Sequence, residues 1–162
     1  MADLVVTITE AVTLNGASRG SSNALTISGV DDIYHRIVTV PSGADNLTLV
    51  AFTSAMTDRD GALDRDLVKY IRVTNLDSTN PINLNLQIDV TESGSGAAAA
   101  NETATILVGA GESFIMGTPH DSIAVYDTDA SVQTTLHDLE SILVDPGANA
   151  VQVEVVIAGV VA

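Results

Sequence analysis

The segment INLNLQIDV constrains the fold most, because Ile82, Leu84, Leu86, Ile88 and Val90 alternate strictly with Asn83, Asn85, Gln87 and Asp89. An extended chain sends successive side chains to opposite sides, so a period of two makes one apolar face and one polar face, as in a half-buried strand. VQVEVVI repeats the pattern, with Val151, Val153, Val155 and Ile157 on one side and Gln152 and Glu154 on the other, until Val156 interrupts the polar side. Just before it, Leu139 to Val144 reads as another strand. The intervening Asp145, Pro146, Gly147, Ala148 and Asn149 have hairpin chemistry, which predicts that these two strands pair with each other.

Short runs of the same kind recur at Leu4–Leu14, Ala24–Ser28, Ile33–Val40, Leu47–Thr53, Leu67–Thr74, Thr103–Val108, Glu112–Met116 and Ser122–Tyr126. Their separators, among them NGASRG, GVDD, PSGAD, NLDSTNP and GTPHD, are rich in Gly, Pro, Asn, Asp and Ser, the residues turns use. With no long helical pattern between them, about ten strands of this spacing predict a single antiparallel β-sandwich of jelly-roll type, an all-β domain spanning residues 1–162. At 162 residues one core suffices. Aromatic residues make up only 3% of the chain against 46% hydrophobic, so Val, Ile, Leu and Ala must fill that core. Two stretches stand apart. Leu136, Leu139 and Leu143 in TTLHDLESILV recur at roughly helical spacing, which keeps a short helix as an alternative there. Gly94 to Asn101, GSGAAAAN, reads as a mobile hairpin loop near residues 93–102.

The absence of cysteine removes disulfides, thiolate catalysis and cysteine-ligated metals together. The N-terminal MADLVVTITE has no basic region leading a continuous apolar stretch, and no run approaches the roughly 20 apolar residues of a spanning helix. The expectation is a chain made in the cytosol without a signal peptide and with no membrane partner. Twenty-one acidic residues face six basic ones, a net charge of −15, and Lys69 is the only lysine. Arg19, Arg36, Arg59, Arg65 and Arg72 form no basic run, so nothing replaces the counterions of a polyanion and nucleic acid is not expected as a partner.

Candidate chemistry is sparse. DRDGALDRD places Asp58, Asp60, Gly61, Asp64 and Asp66 close together, like an oxygen-rich calcium loop. With Gly61 set at the sharp turn of an EF-hand, however, the first ligand becomes Met56 and the closing carboxylate becomes Leu67, so a solvated turn is the expectation. His120-Asp121 and His137-Asp138 carry residue types that metal phosphohydrolases use, but that chemistry needs several such side chains to converge. His35 lies in a predicted strand, facing the same way as Ile33 and Ile37. Ser113 in GAGESF lacks the glycine pattern of a nucleophile elbow, and Gly109, Ala110 and Gly111 lack the lysine of a phosphate-binding loop. A glycosidase-type carboxylate pair would want aromatic platforms for sugars, and the chain has almost none. No catalytic, cofactor-binding or metal-binding residue is therefore assigned, and the chain is read as a non-enzyme.

Three phrases carry a resemblance: VTITEAVTLNGASRGSSNALTISGVDDIYHRIVTVPSG from Val6 to Gly43, KYIRVTNLDSTNPINLNL from Lys69 to Leu86, and GAGESFIMG from Gly109 to Gly117. Together they resemble small β-rich virion proteins of tailed phages from aquatic and marine hosts. The resemblance implies a virion structural protein of the capsid decoration or cement type, holding the major capsid protein or other virion proteins and acting as a homo-oligomer, with a trimer as the expected state. Its contacts are expected from edge strands, from the Val-rich terminal strands and from the loop around Gly94 to Asn101. A tail, neck or fibre component is the alternative within that class, and a cell-envelope hydrolase the alternative outside it.

Overall fold

The computed structural model describes residues 1–53, 63–89, 102–125 and 132–160. Among them the chain is all β, with strands β1 (Ala2–Thr9), β2 (Thr13–Leu14), β3 (Ala17–Ser18), β4 (Ser22–Val40), β5 (Leu47–Thr53) and β6 (Leu63–Asp64), followed by β7 (Val68–Asn75), β8 (Ile82–Asp89), β9 (Glu102–Val108), β10 (Ser113–Met116), β11 (Asp138–Asp145) and β12 (Val151–Val160). Two five-stranded sheets have the orders β1-β4-β12-β7-β10 and β6-β5-β11-β8-β9, and β2 pairs with β3. All pairings are antiparallel except the short parallel match of Phe52 and Thr53 in β5 with Leu63 and Asp64 in β6.

Set aside β1 and β6, and the remaining order is β4-β12-β7-β10 over β5-β11-β8-β9. The chain then changes sheet at every connection except β8 to β9, so first and last strands interleave with middle ones, which is the winding of a jelly roll. The alternation in β8 explains its place. Ile82, Leu84, Leu86 and Ile88 are buried, and in β12 Val151, Val153, Val155 and Ile157 join the first three of them in one core cluster from the opposite sheet. Phe52 is the one aromatic side chain fully buried in this cluster, so the core is aliphatic as the composition requires.

The structure corrects several expectations. Segments Leu139–Val144 and Val151–Ile157 do not form a hairpin. β11 lies between β5 and β8 and β12 between β4 and β7, so both strands have their edges occupied and the intervening turn must cross from one sheet to the other. The turn closes on itself through the Asp145 carboxylate, which accepts from the Gly147 N–H at 2.7 Å, while the Gly147 carbonyl accepts from the Gly43 N–H of the β4–β5 turn at 2.8 Å. Because β12 is central, it is not an exposed terminal strand available to a partner. The segment holding Leu139 and Leu143 is strand rather than helix, with both side chains buried. Of Ser122–Tyr126, the described part contributes only an isolated bridge from Ile123 to His137. The expected loop near 93–102 and Tyr126 lie almost wholly outside the described residues.

The N-terminal region departs most. The expected break at GVDD is absent, and Ser22 to Val40 is one strand that bends where Gly29 takes a φ of 78°. β12 accompanies β4 only from Val40 to Val30, whereas β1 accompanies it from Val30 to Ser22. Beyond the bend the chain is a two-stranded ribbon, closed at its tip by Asn15 and Gly16 with φ of 51° and 77°, the pair of positive angles that a two-residue hairpin turn requires. The ribbon leans over the outer face of its own sheet. Leu4, Val6 and Ile27 pack there with Val156 and Val160 on a small second cluster of Val30, Tyr70 and Ala158. This accounts for Val156, which breaks the polar side of β12 because that side is itself covered.

Candidate functional site

Three polar assemblies hold the residues that the sequence singles out. In the first, Asp138 opens β11 with a side chain 1% exposed. Its Oδ1 receives the Asp121 backbone N–H at 2.8 Å and lies 2.9 Å from His120 Nδ1, while its Oδ2 is ion-paired with Arg65 Nη1 at 2.9 Å. His120 Nδ1 is also 3.2 Å from Asp66 Oδ1, and its Nε2 is 3.4 Å from Asp121 Oδ2. The structure thus joins His120-Asp121 to Asp138 and to the end of DRDGALDRD. His137 enters through its backbone, which exchanges hydrogen bonds with Ser122 and Ile123. Asp58, Asp60 and Gly61 lie outside the described residues, and Asp64 accepts from the Asp66 N–H at 3.0 Å in a local turn.

His120, Asp121 and Asp138 could each turn a ligand atom toward one point. The donor set argues for a different use. Asp138 Oδ1 is already met by two nitrogens, and Oδ2, which has no hydrogen bond of its own, faces a guanidinium whose charge opposes a cation at that place. A buried carboxylate engaged in this way is a clamp: it fixes the turn before β11 to the segment before β7. Sequence reasoning missed Arg65 as its partner because the two are 73 positions apart and nothing local links them.

The second assembly lies on the outer face of the first sheet. Glu154 on β12 sits between His35 on β4 and Arg72 on β7, with Oε1 2.8 Å from His35 Nε2 and Oε2 2.5 Å from Arg72 Nη2. Ile33 and Ile37 flank His35 on that face and are half exposed, so the side shared by these three residues is the outer one and not the core.

The third joins two of the phrases that carry the resemblance. Asn75, fully buried at the end of β7, donates through Nδ2 to the carbonyls of Asn80 at 2.8 Å and Gly109 at 3.1 Å, and its Oδ1 accepts from the Asp77 N–H at 3.0 Å. Asp77 in turn accepts from the backbone N–H groups of Thr79 and Asn80, both at 2.7 Å, and these bonds hold its carboxyl below the usual carboxylate range. Across from it, Glu112 accepts from the Gly109 N–H at 2.9 Å, so Gly109 to Glu112 is a closed turn between β9 and β10. Ser113 follows it, with Oγ 2.9 Å from the Thr74 hydroxyl.

No protein-family model, curated protein or solved structure matches the chain.

The remaining feature is apolar. Among the described residues Val5, Ile8, Val12, Leu14 and Leu25 of the ribbon are each more than half exposed. Between the ribbon and the body runs a groove of about 270 Å³, lined by Val6, Ile8 and Leu25 on one side and by Tyr70, Ile115 and Met116 on the other. The sequence marks the N-terminal strand as a contact element by its Val content, but period two says only that a face is apolar and not which molecule covers it.

Proposed function

We propose that the chain is a non-enzymatic structural component of a tailed-virus particle, a decoration or cement protein that binds the outer surface of the major capsid protein shell and stabilises it. The observation that carries this reading is the N-terminal ribbon, which presents aliphatic side chains to water from an otherwise well-buried acidic jelly roll. Several large aliphatic side chains left exposed on one element suit a binding element. The jelly roll supports the reading only in part, since the architecture serves capsid and lectin domains alike. The polar assemblies support it from the other direction, because their carboxylates and amides are engaged in holding turns and strands together.

A shell repeats its contacts, so the ligand of such a ribbon is met many times on one particle, and a weak contact suffices when many act together. The charge of −15 fits a protein on the outside of a particle, where mutual repulsion keeps particles apart and discourages adhesion to nucleic acid.

Cryo-electron microscopy of the virus that encodes the chain tests the proposal. The expected result is density for the jelly roll in hundreds of symmetric copies on the shell. A small multiple of three or six copies at the tail would move the chain to the neck or fibre, and absence from particles, or hydrolysis of host envelope polysaccharide by the purified chain, would overturn the structural reading.

A further inference from the structure

We infer that the hollow at the Gly159 end of β12 receives the side chain of a lysine presented by another protein, with its methylenes against apolar walls and its ammonium among carboxylates. None of the ribbon's residues line this hollow, so the site is independent of the shell contact proposed above. The cavity measures about 190 Å³, and Leu63, Leu67, Ile157 and Val160 form its apolar walls. A single water needs only roughly 10–15 Å³.

The hollow follows from the register of three strands. Gly159 on β12 pairs with Asp32 of β4 on one side and with Val68 of β7 on the other, whereas the adjoining pairs are Val160 with Val30 and Ala158 with Tyr70. Asp31 and Lys69 are therefore extra residues, one bulge on each side of Gly159. In an unbroken strand Asp31 and Asp32 would project to opposite faces. The bulge lets both line one hollow, and Asp64 of β6 joins them from the second sheet. Gly159 itself has no side chain to fill the space.

Charge and shape together select the occupant. Among the described residues three carboxylates line the hollow and no cation does. Among those residues, too, the side chains of Asp31 and Asp32 make no hydrogen bond or ion pair, and Asp64 accepts only the Asp66 N–H at 3.0 Å. Arg36, on the same strand, donates to the Tyr34 hydroxyl at 3.1 Å and lies 5.5 Å from the centre of that ring, so it does not pair with them. A wholly apolar ligand would take the carboxylates out of water without a partner, and an inorganic cation would leave the leucines uncovered. A lysine meets both demands. Its stem lies along apolar surface and its ammonium directs three donors to separate acceptors, whereas a guanidinium fork matches a single carboxylate. Lys69 is the only lysine of the chain and already donates to the Asp66 carbonyl at 2.7 Å, so the occupant comes from a different protein.

NMR titration of the purified full chain with Nα-acetyl-lysine methylamide, followed at the amides of Asp31, Leu67, Gly159 and Val160, tests this assignment with no shell present. A saturable shift centred on these amides is expected. The neutral norleucine analogue, at matched ionic strength, should bind about fivefold more weakly, as for the loss of partly exposed ion pairs. Asp31→Asn with Asp32→Asn should weaken the lysine analogue by about the same factor and leave the norleucine analogue unchanged. Asp45→Asn, which removes an exposed carboxylate outside the hollow, should change neither. Should the double variant fail to fold, the wild type alone decides, because added salt should weaken the lysine analogue and not the norleucine analogue. The absence of a saturable shift up to about 50 mM overturns the assignment, since it leaves no affinity above the weakest contacts. So does equal binding of the two analogues, or a loss at Asp45→Asn as large as that at the paired aspartates, which would assign the attraction to the overall charge of the chain.

Discussion

β8 and the ribbon are built from the same kind of alternating, β-branched and aliphatic sequence, yet they finish in opposite surroundings. In β8, Ile82, Leu84, Leu86 and Ile88 are within 1% of complete burial because β12 and its neighbours lie across from them. In the ribbon, Ile8, Val12, Leu14 and Leu25 face water because β12 stops accompanying β4 at Val30 and no strand continues beside the ribbon among the described residues. An apolar face fixes that something will cover it, and topology decides whether the cover comes from the same chain. The body should therefore be sensitive to every substitution that the ribbon tolerates.

The largest loss is expected where the body is held by charge. Asp138→Ala takes the buried carboxylate away from the largely covered Arg65 and frees the turn carrying His120 and Asp121; breaking one side of a buried pair typically costs about 3–5 kcal/mol, and the remaining exposure of Arg65 puts the expected loss at the lower end. Urea unfolding should show this as a lower midpoint with a similar slope; a change under about 1 kcal/mol would mean that the clamp does not hold the body. Next comes the core itself. Leu84→Ala removes a fully buried side chain between the sheets, with an expected loss of about 2–5 kcal/mol that depends on how far the neighbours collapse into the space. If Leu84→Ala were as mild as a surface change, the division between body and ribbon would not stand.

The same contrast explains how much could be read from the residues alone. Alternation located β8 and β12 closely, since burial on one face leaves a direct imprint at every second position. It failed for the β11–β12 connection because Asp145, Pro146 and Gly147 encode a tight turn and carry no record of whether that turn joins neighbours or crosses the core. It also failed at Gly29, where a glycine followed two residues later by Asp31 and Asp32 looks like a loop but supplies the bend within one continuous strand. The three polar assemblies share a deeper obstacle. Arg65 with Asp138, His35 with Glu154 and Asn75 with Gly109 are pairs far apart in sequence, and only the sheet order brings them together.

A smaller effect is expected at Asp77, and it depends on pH. Its folded carboxyl titrates below the ordinary aspartate value of about 3.9, so in that window the folded chain binds fewer protons than the unfolded one. The stabilisation is fully present above the unfolded value and is lost as pH falls through the folded value. Thermal melts of the wild type and Asp77→Ala should differ at pH 7 and converge as the pH is lowered through the acid range. A gap that is constant with pH would assign the difference to turn propensity and not to the charge that accepts from Thr79 and Asn80.

The least change is expected at the ribbon tip, and that small value is what gives the comparison its force. Val12→Ser with Leu14→Ser exchanges two apolar side chains that make no contribution to either buried cluster. The turn at Asn15 and Gly16 and the backbone bond from the Arg19 N–H to the Val12 carbonyl survive the change. Its unfolding free energy should stay within about 0.5 kcal/mol of the wild type, as for surface substitutions elsewhere. A destabilisation of about 2 kcal/mol would instead place Val12 and Leu14 in the fold of the chain and bring the ribbon back into the body.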